Sequence, residues 1–132
     1  MKAIADTGFL VALARRADKH HAWAAELSEH ITEPLLTCDA VLAEVAFHLE
    51  STRWALAMVE HELVVSAFNS DANTRRLIEL AEQFDDLQPN FADLCLVRMS
   101  ELHPKHKVIT VDRRDFTVLR RNGREQIPLV LP

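Results

Sequence analysis

The chain has 132 residues, of which 48 % are apolar and 27 % are charged, and its formal net charge is -5 at pH 7. This length suits one domain with a sizeable core, and the composition excludes a disordered chain. The negative balance argues against a protein that coats nucleic acid with its whole surface, but it leaves room for a local basic patch.

Neither membrane insertion nor disulfide bonding is indicated. No apolar run approaches the roughly 20 residues that span a bilayer, and the first residues lack the pattern of a signal peptide. Cys38 and Cys95 stand far apart in apolar segments, which is typical of small core side chains. We therefore expect a cytoplasmic protein with reduced thiols and no membrane partner.

Strand and helix patterns alternate along the chain. In chain order they predict a strand at Lys2–Asp6, helices at Gly8–Arg16 and His20–Ile31, a strand at Leu35–Thr37, helices at Asp39–Leu49 and Thr52–Glu60, a strand at Leu63–Phe68, helices at Asp71–Phe84 and Phe91–Leu102, and strands at Lys107–Val111 and Ile127–Leu131. Pro128 indicates that the last strand lies at an edge. Strands separated by helices pair in parallel, so we predict an α/β fold, a three-layer α/β/α sandwich with a mostly parallel central sheet.

Four acids interrupt these apolar segments. Asp6 and Asp112 each end a predicted strand, whereas Glu44 and Asp93 lie within apolar helical stretches. A carboxylate removed from water needs a compensating charge, or it costs several kcal/mol or loses its ionisation. Parallel strands end at one edge of a sheet, where sites gather, so Asp6 and Asp112 are expected on the same rim. With no matching buried Lys or Arg in the pattern, a divalent metal ion is the candidate partner.

Each acid also has a purely structural explanation. Asp6 would be a good helix N-cap. Asp93 stands three residues after Asn90, the spacing of a capping box. Asp112 would cap a short turn that has Asp115 at its third position. Glu44 would lie at the surface, at the edge of the apolar stripe of its helix.

The chemistry that such an acidic cluster supports is specific. Carboxylate oxygens suit Mg²⁺ or Mn²⁺, which keep several waters and bind phosphate oxygens. Two such ions about 4 Å apart activate a water and stabilise the leaving oxygen of an in-line phosphoryl displacement. Without metal the carboxylates would raise one another's pKa values, so metal binding is expected to stabilise the fold.

Six segments in order carry a family resemblance: residues 5–13, 18–24, 36–44, 91–97, 108–116 and the ending 128–132. Together they resemble PIN-domain nucleases, in particular the VapC-type toxins of bacterial toxin–antitoxin pairs. The resemblance covers nearly the whole chain and implies a single PIN-like nuclease domain over residues 1–132.

The resemblance implies a metal-dependent endoribonuclease that hydrolyses RNA phosphodiesters with Mg²⁺ or Mn²⁺. It implies catalytic roles for Asp6, Glu44, Asp93 and Asp112, the metal being held by Asp6, Asp93 and Asp112, with support from Thr7, Thr110, Asp115 and Asn90. Many relatives have a further Asp where this chain has Asn90, which brings no charge. The resemblance also implies a cognate antitoxin and a homodimer, for which the apolar stretch Trp54–Val59 is a candidate interface.

Basic residues follow the first and the last acid-bearing strands. Arg15, Arg113 and Arg114 are candidate RNA-binding residues, within the groups Arg15, Arg16 and Lys19, and Arg113, Arg114, Arg120, Arg121 and Arg124. An ordinary solvated surface or an antitoxin contact remains an alternative for both groups. The alternative function is a catalytically silent PIN fold that acts as an RNA- or protein-binding module, which the missing charge at Asn90 motivates.

Overall fold

A five-stranded parallel sheet forms the centre of the computed structural model, which describes residues 1–132. Its strand order is β3-β2-β1-β4-β7, where the strands are β1 Ala3–Ala5, β2 Leu35–Thr37, β3 Val64–Ser66, β4 Lys107–Ile109 and β7 Leu129–Val130. In the central strand Ile4 pairs with Leu36 on one side and with Val108 on the other. The first strand in sequence is therefore the middle strand in space, so the residue that follows it lies at the centre of the sheet's carboxyl edge.

Helices flank this sheet in the three-layer α/β/α arrangement. They are α1 Thr7–Ala14, α2 His21–Ser28, α3 Asp39–Leu49, α4 Thr52–Glu60, α5 Thr74–Gln83, α6 Phe91–Leu102 and the short α7 Arg113–Phe116. Helix α6 is buried along most of its length because it is apolar on nearly every face. No helix has the length and apolar character that crossing a membrane requires.

The predicted fold class is confirmed, and so is the edge position of the last strand. The strand predicted at Leu35–Thr37 has those bounds, and the other four strands of the sheet are shorter than predicted. Residues 71–73 form a 3₁₀ turn before α5 begins at Thr74. Helix α7 and an antiparallel hairpin of β5 Arg120–Arg121 with β6 Glu125–Gln126 were not predicted.

Arg121 does not belong to an exposed basic rim, so its place in that group is wrong. It is 4 % exposed. Its guanidinium donates to the carbonyl of Ser100 in α6 at 2.8 Å and to Glu125 Oε1 at 2.7 Å. A buried charge needs such partners. Arg121 therefore fixes the β5–β6 hairpin against α6 instead of offering its charge to a ligand.

Candidate acidic active site

Strand and helix ends bring the predicted acids together at the carboxyl edge of the sheet. Asp6 follows β1, caps α1, and accepts the N–H of Thr7 at 2.6 Å. Asp112 follows β4, caps α7, and accepts the N–H of Asp115 at 2.9 Å. Asp93 lies in the first turn of α6, which packs against β1 and β4. The capping explanations for Asp6 and Asp112 are thus correct, and they coexist with a shared site.

All four acids line one open cavity of about 520 Å³. Its wall is mainly polar, with only two hydrophobic residues among 15. Asp18 and Asp115 add two further carboxyl groups to the four predicted ones. The positive or titratable basic side chains of the wall are Arg15, Lys19, His20 and His48. The carboxyl groups of the wall outnumber its cations, so the electrostatic potential of the cavity favours a positively charged ligand over an anion.

Two threonine hydroxyls connect three of the four acids. Thr110 Oγ1 donates to Asp6 Oδ2 at 2.6 Å and accepts the N–H of Asp112 at 3.0 Å. Thr7 Oγ1 donates to Glu44 Oε1 at 2.8 Å. Thr110 is fully buried, so its rotamer is fixed by packing as well as by these bonds. The threonines thereby hold the carboxylates of Asp6 and Glu44 and the backbone of Asp112 in a defined arrangement.

Asn90 and Asp93 form the capping box that their spacing indicates. The Asn90 side-chain oxygen accepts the N–H of Asp93 at 2.8 Å, and Asp93 Oδ2 accepts the N–H of Asn90 at 3.4 Å. The long second bond leaves the Asp93 carboxylate only weakly engaged by its own helix. Both residues also line the cavity. Asn90 therefore positions the start of α6 beneath the site without adding a charge.

Glu44 faces the cavity from the middle of α3. It is half-buried, and one of its oxygens is bound by Thr7. Phe47, one turn further along α3, is 78 % exposed. This face of α3 is therefore not a core face, although its apolar residues suggest one. Glu44 lies where the apolar stripe gives way to the open site.

Burial is the main reason why the carboxyl groups of Asp6, Asp93 and Asp115 resist ionisation. It raises the pKa of Asp6 to about 6, against hydrogen bonds from Thr110 and Thr7 that lower the pKa. Burial and the neighbouring charge of Asp6 raise the pKa of Asp93 to about 7. The pKa of Asp115 is also raised, first by burial and then by Asp112. Mutual repulsion, which the sequence suggested as the cause, contributes less than desolvation.

The donor set fits a hydrated divalent ion better than a closed metal cage. No three Asp, Glu, His or Cys side chains converge tightly enough to hold an ion by themselves. Mg²⁺ commonly uses only one or two carboxylates and keeps several waters, and a cation would favour the ionised form that burial penalises in Asp6 and Asp93. The residues that would hold it are Asp6, Asp93 and Asp112.

The predicted RNA-binding residues divide into two groups. Arg15 lines the cavity, whereas Arg113 and Arg114 are exposed on α7 and do not line it. Arg113 donates to the carbonyl of Pro132 at 3.1 Å. His48 was not among the predicted site residues, although its position four residues after Glu44 places it on the same face of α3.

Comparisons with known proteins agree with this architecture. The family profile described as PIN domain matches residues 3–122. Among solved structures, VapC20 of Mycobacterium tuberculosis, described as a toxin that cleaves the sarcin–ricin loop, matches with a TM-score of 0.67 and 20 % sequence identity over 81 % of this chain and 87 % of that chain. At this identity the likeness concerns the fold alone. No curated protein matches the sequence.

Proposed function

Because the chain belongs to the PIN domain family, we propose that it is a metal-dependent endoribonuclease of the VapC toxin type. The observation that carries the proposal is the meeting of Asp6, Glu44, Asp93 and Asp112 in one cavity at the carboxyl edge of the sheet. These acids come from separate elements, and the raised pKa values of Asp6 and Asp93 and the threonine contacts of Asp6 and Glu44 are typical of a functional site. The likeness of fold to a toxin described as cleaving the sarcin–ricin loop supports RNA as the proposed substrate class.

In this proposal Asp6, Asp93 and Asp112 hold Mg²⁺ or Mn²⁺. The ion supplies a Lewis acid that neutralises phosphate charge and makes water a better nucleophile. Thr110 keeps Asp6 oriented, and Thr7 keeps one oxygen of Glu44 in place. The other oxygen of Glu44 would accept the proton of the attacking water. In-line attack on phosphorus would break the bond to the 3′ oxygen, which would take a proton from solvent, so that the products carry a 5′-phosphate and a 3′-hydroxyl.

Charge-removing variants of nearly equal size test the assignment. Asp6→Asn and Asp93→Asn are expected to lower Mg²⁺-dependent RNA cleavage by roughly 100-fold or more, because each removes a carboxylate from the ion. Asp86→Asn, at an exposed position outside the cavity, is the matched control and should cleave like the wild-type protein. Full cleavage by both site variants, with circular dichroism showing intact folds, would contradict the nuclease proposal.

The family resemblance implies two protein partners. One is a cognate antitoxin, and the other is a second copy of this chain in a homodimer. Trp54 and Leu56 of the apolar stretch are exposed, whereas Ala55 and Met58 are buried. Only part of that stretch is therefore available to a second chain. Light scattering on the purified protein tests the dimer, and a monomer at all concentrations would exclude it.

A catalytically silent binding module is the second candidate. It is favoured by the uncharged Asn90 and by carboxylates that do not converge on one point. Calorimetry with Mn²⁺ separates the two functions. Heat of binding that disappears in Asp93→Asn supports the nuclease. A folded protein that binds no Mn²⁺ at millimolar concentration supports the silent module.

A further inference from the structure

We propose that exposed aromatic and basic side chains beside the acidic cavity bind single-stranded RNA next to the bond that is cut. This aromatic–basic strip consists of Arg15, Phe47, His48 and Trp54. The choice of RNA as ligand rests on the proposed function. The strip itself rests on the placement of these four side chains.

One face of α3 leads from the cavity onto the strip. Phe47 and His48 lie three and four residues after Glu44, so all three share this face. His48 lines the cavity together with Glu44. The Phe47 ring meets the His48 ring edge to face with centroids 5.5 Å apart, and Phe47 is 78 % exposed. A large aromatic surface is thus open to solvent within one helical turn of a catalytic acid.

Arg15 joins this face to the second aromatic side chain. It follows the end of α1, and its guanidinium donates to the backbone carbonyl of His48. Arg15 lines the acidic cavity and also a second hollow of about 150 Å³, which it shares with Leu49 and Trp54. Trp54 is 51 % exposed at the start of α4. The strip is therefore continuous with the active site through a single arginine.

The charge distribution explains why RNA needs this strip. The carboxylates of the cavity repel the phosphates on either side of the cleaved one, and the protein as a whole carries a charge of -5. Arg15 supplies a permanent positive charge at the cavity wall, where it can meet a flanking phosphate. Exposed aromatic rings beside a cation are the combination by which proteins hold single strands, since unpaired bases stack on the rings. The bases of a duplex are already stacked on one another, so a duplex would offer Phe47 and Trp54 no free base on which to stack.

RNA binding in EDTA tests the strip without cleavage. Fluorescence anisotropy of a fluorescein-labelled single-stranded RNA should show that Phe47→Ala and Trp54→Ala each weaken binding by about 5- to 150-fold, the loss expected for one stacked base. Trp54→Phe keeps a stacking ring and should retain most of the affinity. Leu102→Ala is the matched control, because Leu102 is 45 % exposed at the end of α6 and lies outside both the strip and the cavity. Arg15→Gln should lower the slope of log Kd against log salt by about one phosphate contact.

Unchanged RNA affinity in both alanine variants would overturn the proposal. The proposal also fails if the two variants lose binding to a protein partner while their RNA affinity stays the same. Cleavage assays with Mg²⁺ separate this inference from the nuclease proposal. If the wild-type protein cleaves RNA and the strip variants keep its KM, the strip is wrong while the nuclease stands. If the wild-type protein cleaves nothing but the alanine variants lose RNA binding, the strip stands and the nuclease proposal fails.

Discussion

Among the carboxyl groups, those of Asp6 and Asp93 have the pKa values that burial raises furthest. The two residues are 7 % and 9 % exposed, and each is close to other acids. In the folded protein their pKa values are about 6 and about 7, compared with an ordinary value of 3.8. Between these limits the folded chain binds protons that the unfolded chain has released. The stability that protonation contributes is therefore complete below about pH 4 and is lost as the pH rises through 6 and 7.

This linkage predicts a pH dependence for the metal-free protein. On going from pH 8 to pH 5, each of the two groups is expected to add roughly 1 to 3 kcal/mol to the free energy of unfolding. Asp6→Asn and Asp93→Asn should each remove their share, because Asn stays neutral at both pH values. Urea unfolding in EDTA at the two pH values measures the effect, with Asp86→Asn as the control that keeps the full dependence. If the free energy of unfolding changes by the same amount between the two pH values in the wild-type protein and all three variants, the assignment of the shifted pKa values is contradicted.

Thr110 is the buried hydroxyl on which two of the acids depend. Thr110→Val preserves the shape but leaves Asp6 Oδ2 and the N–H of Asp112 without this partner. We expect a loss of about 1 to 3 kcal/mol in the free energy of unfolding. Thr110→Ser keeps both hydrogen bonds and should lose much less. Urea denaturation of the two variants decides the point, and equal stability of Val and Ser at this position would show that the hydroxyl is dispensable.

At the scale of single residues, the acids were predictable because charge is conspicuous in apolar segments. The residues around them were harder to place. Nothing in the local sequence distinguishes Arg121, which is buried, from its half-buried neighbour Arg120 in the same run, because the difference arises from the distant carbonyl of Ser100. His48 had a usable signal in its helical spacing from Glu44. Tertiary contacts decide such cases, and a single sequence shows them poorly.

Among the elements, α1 approaches the end of β4 closely enough to require glycine. A Cβ atom at Gly8 would stand 2.3 Å from Val111 Cγ2, which is far inside van der Waals contact. Val111 immediately precedes Asp112, so any shift that relieves this clash also moves an acid of the site. Glycine is therefore required by geometry at position 8 in this chain, although Ala is the better helix former.

Gly8→Ala is expected to destabilise the protein by roughly 1 to 3 kcal/mol and to lower RNA cleavage. In a Val111→Ala background, where the clashing methyl is absent, the same change should be neutral or stabilising because Ala favours the helix. A double-mutant cycle by urea unfolding measures this reversal of sign. Equal losses in both backgrounds would mean that the two elements are not in the contact described.

The order of the main elements followed from the alternation of apolar patterns, but the β5–β6 hairpin did not. Its strands are two residues each and largely charged, so they show no apolar alternation. The turn did carry a signal: Asn122 and Gly123 both have positive φ, 49° and 90°, and Asn-Gly is a strong hairpin dipeptide. Two residues on each side of the turn are too few to show the alternating side-chain pattern that would have supported a hairpin prediction.

For the whole molecule, the proposed metal site in the acidic cavity predicts that stability depends on a bound cation. Mn²⁺ at about 100 times its Kd should raise the free energy of unfolding by about 2.7 kcal/mol, because only the folded chain assembles the site. The melting temperature at pH 8 should therefore rise with MnCl₂ and return to its starting value with EDTA. Asp93→Asn should show a much smaller rise. A wild-type melting temperature that ignores Mn²⁺ would contradict binding at this cavity.

The pairing of β1 with β4 has a consequence for how the protein is made. The hydrogen bond from Thr110 to Asp6 joins residues 104 positions apart. A ribosome releases Asp6 and Glu44 early, but the cavity has no Asp112 wall until residue 112 has emerged. Such long-range closure is also a slow step in folding. The site is therefore incomplete while residues 1–111 are being translated, and any activity of the cavity begins only after Asp112 has left the ribosome.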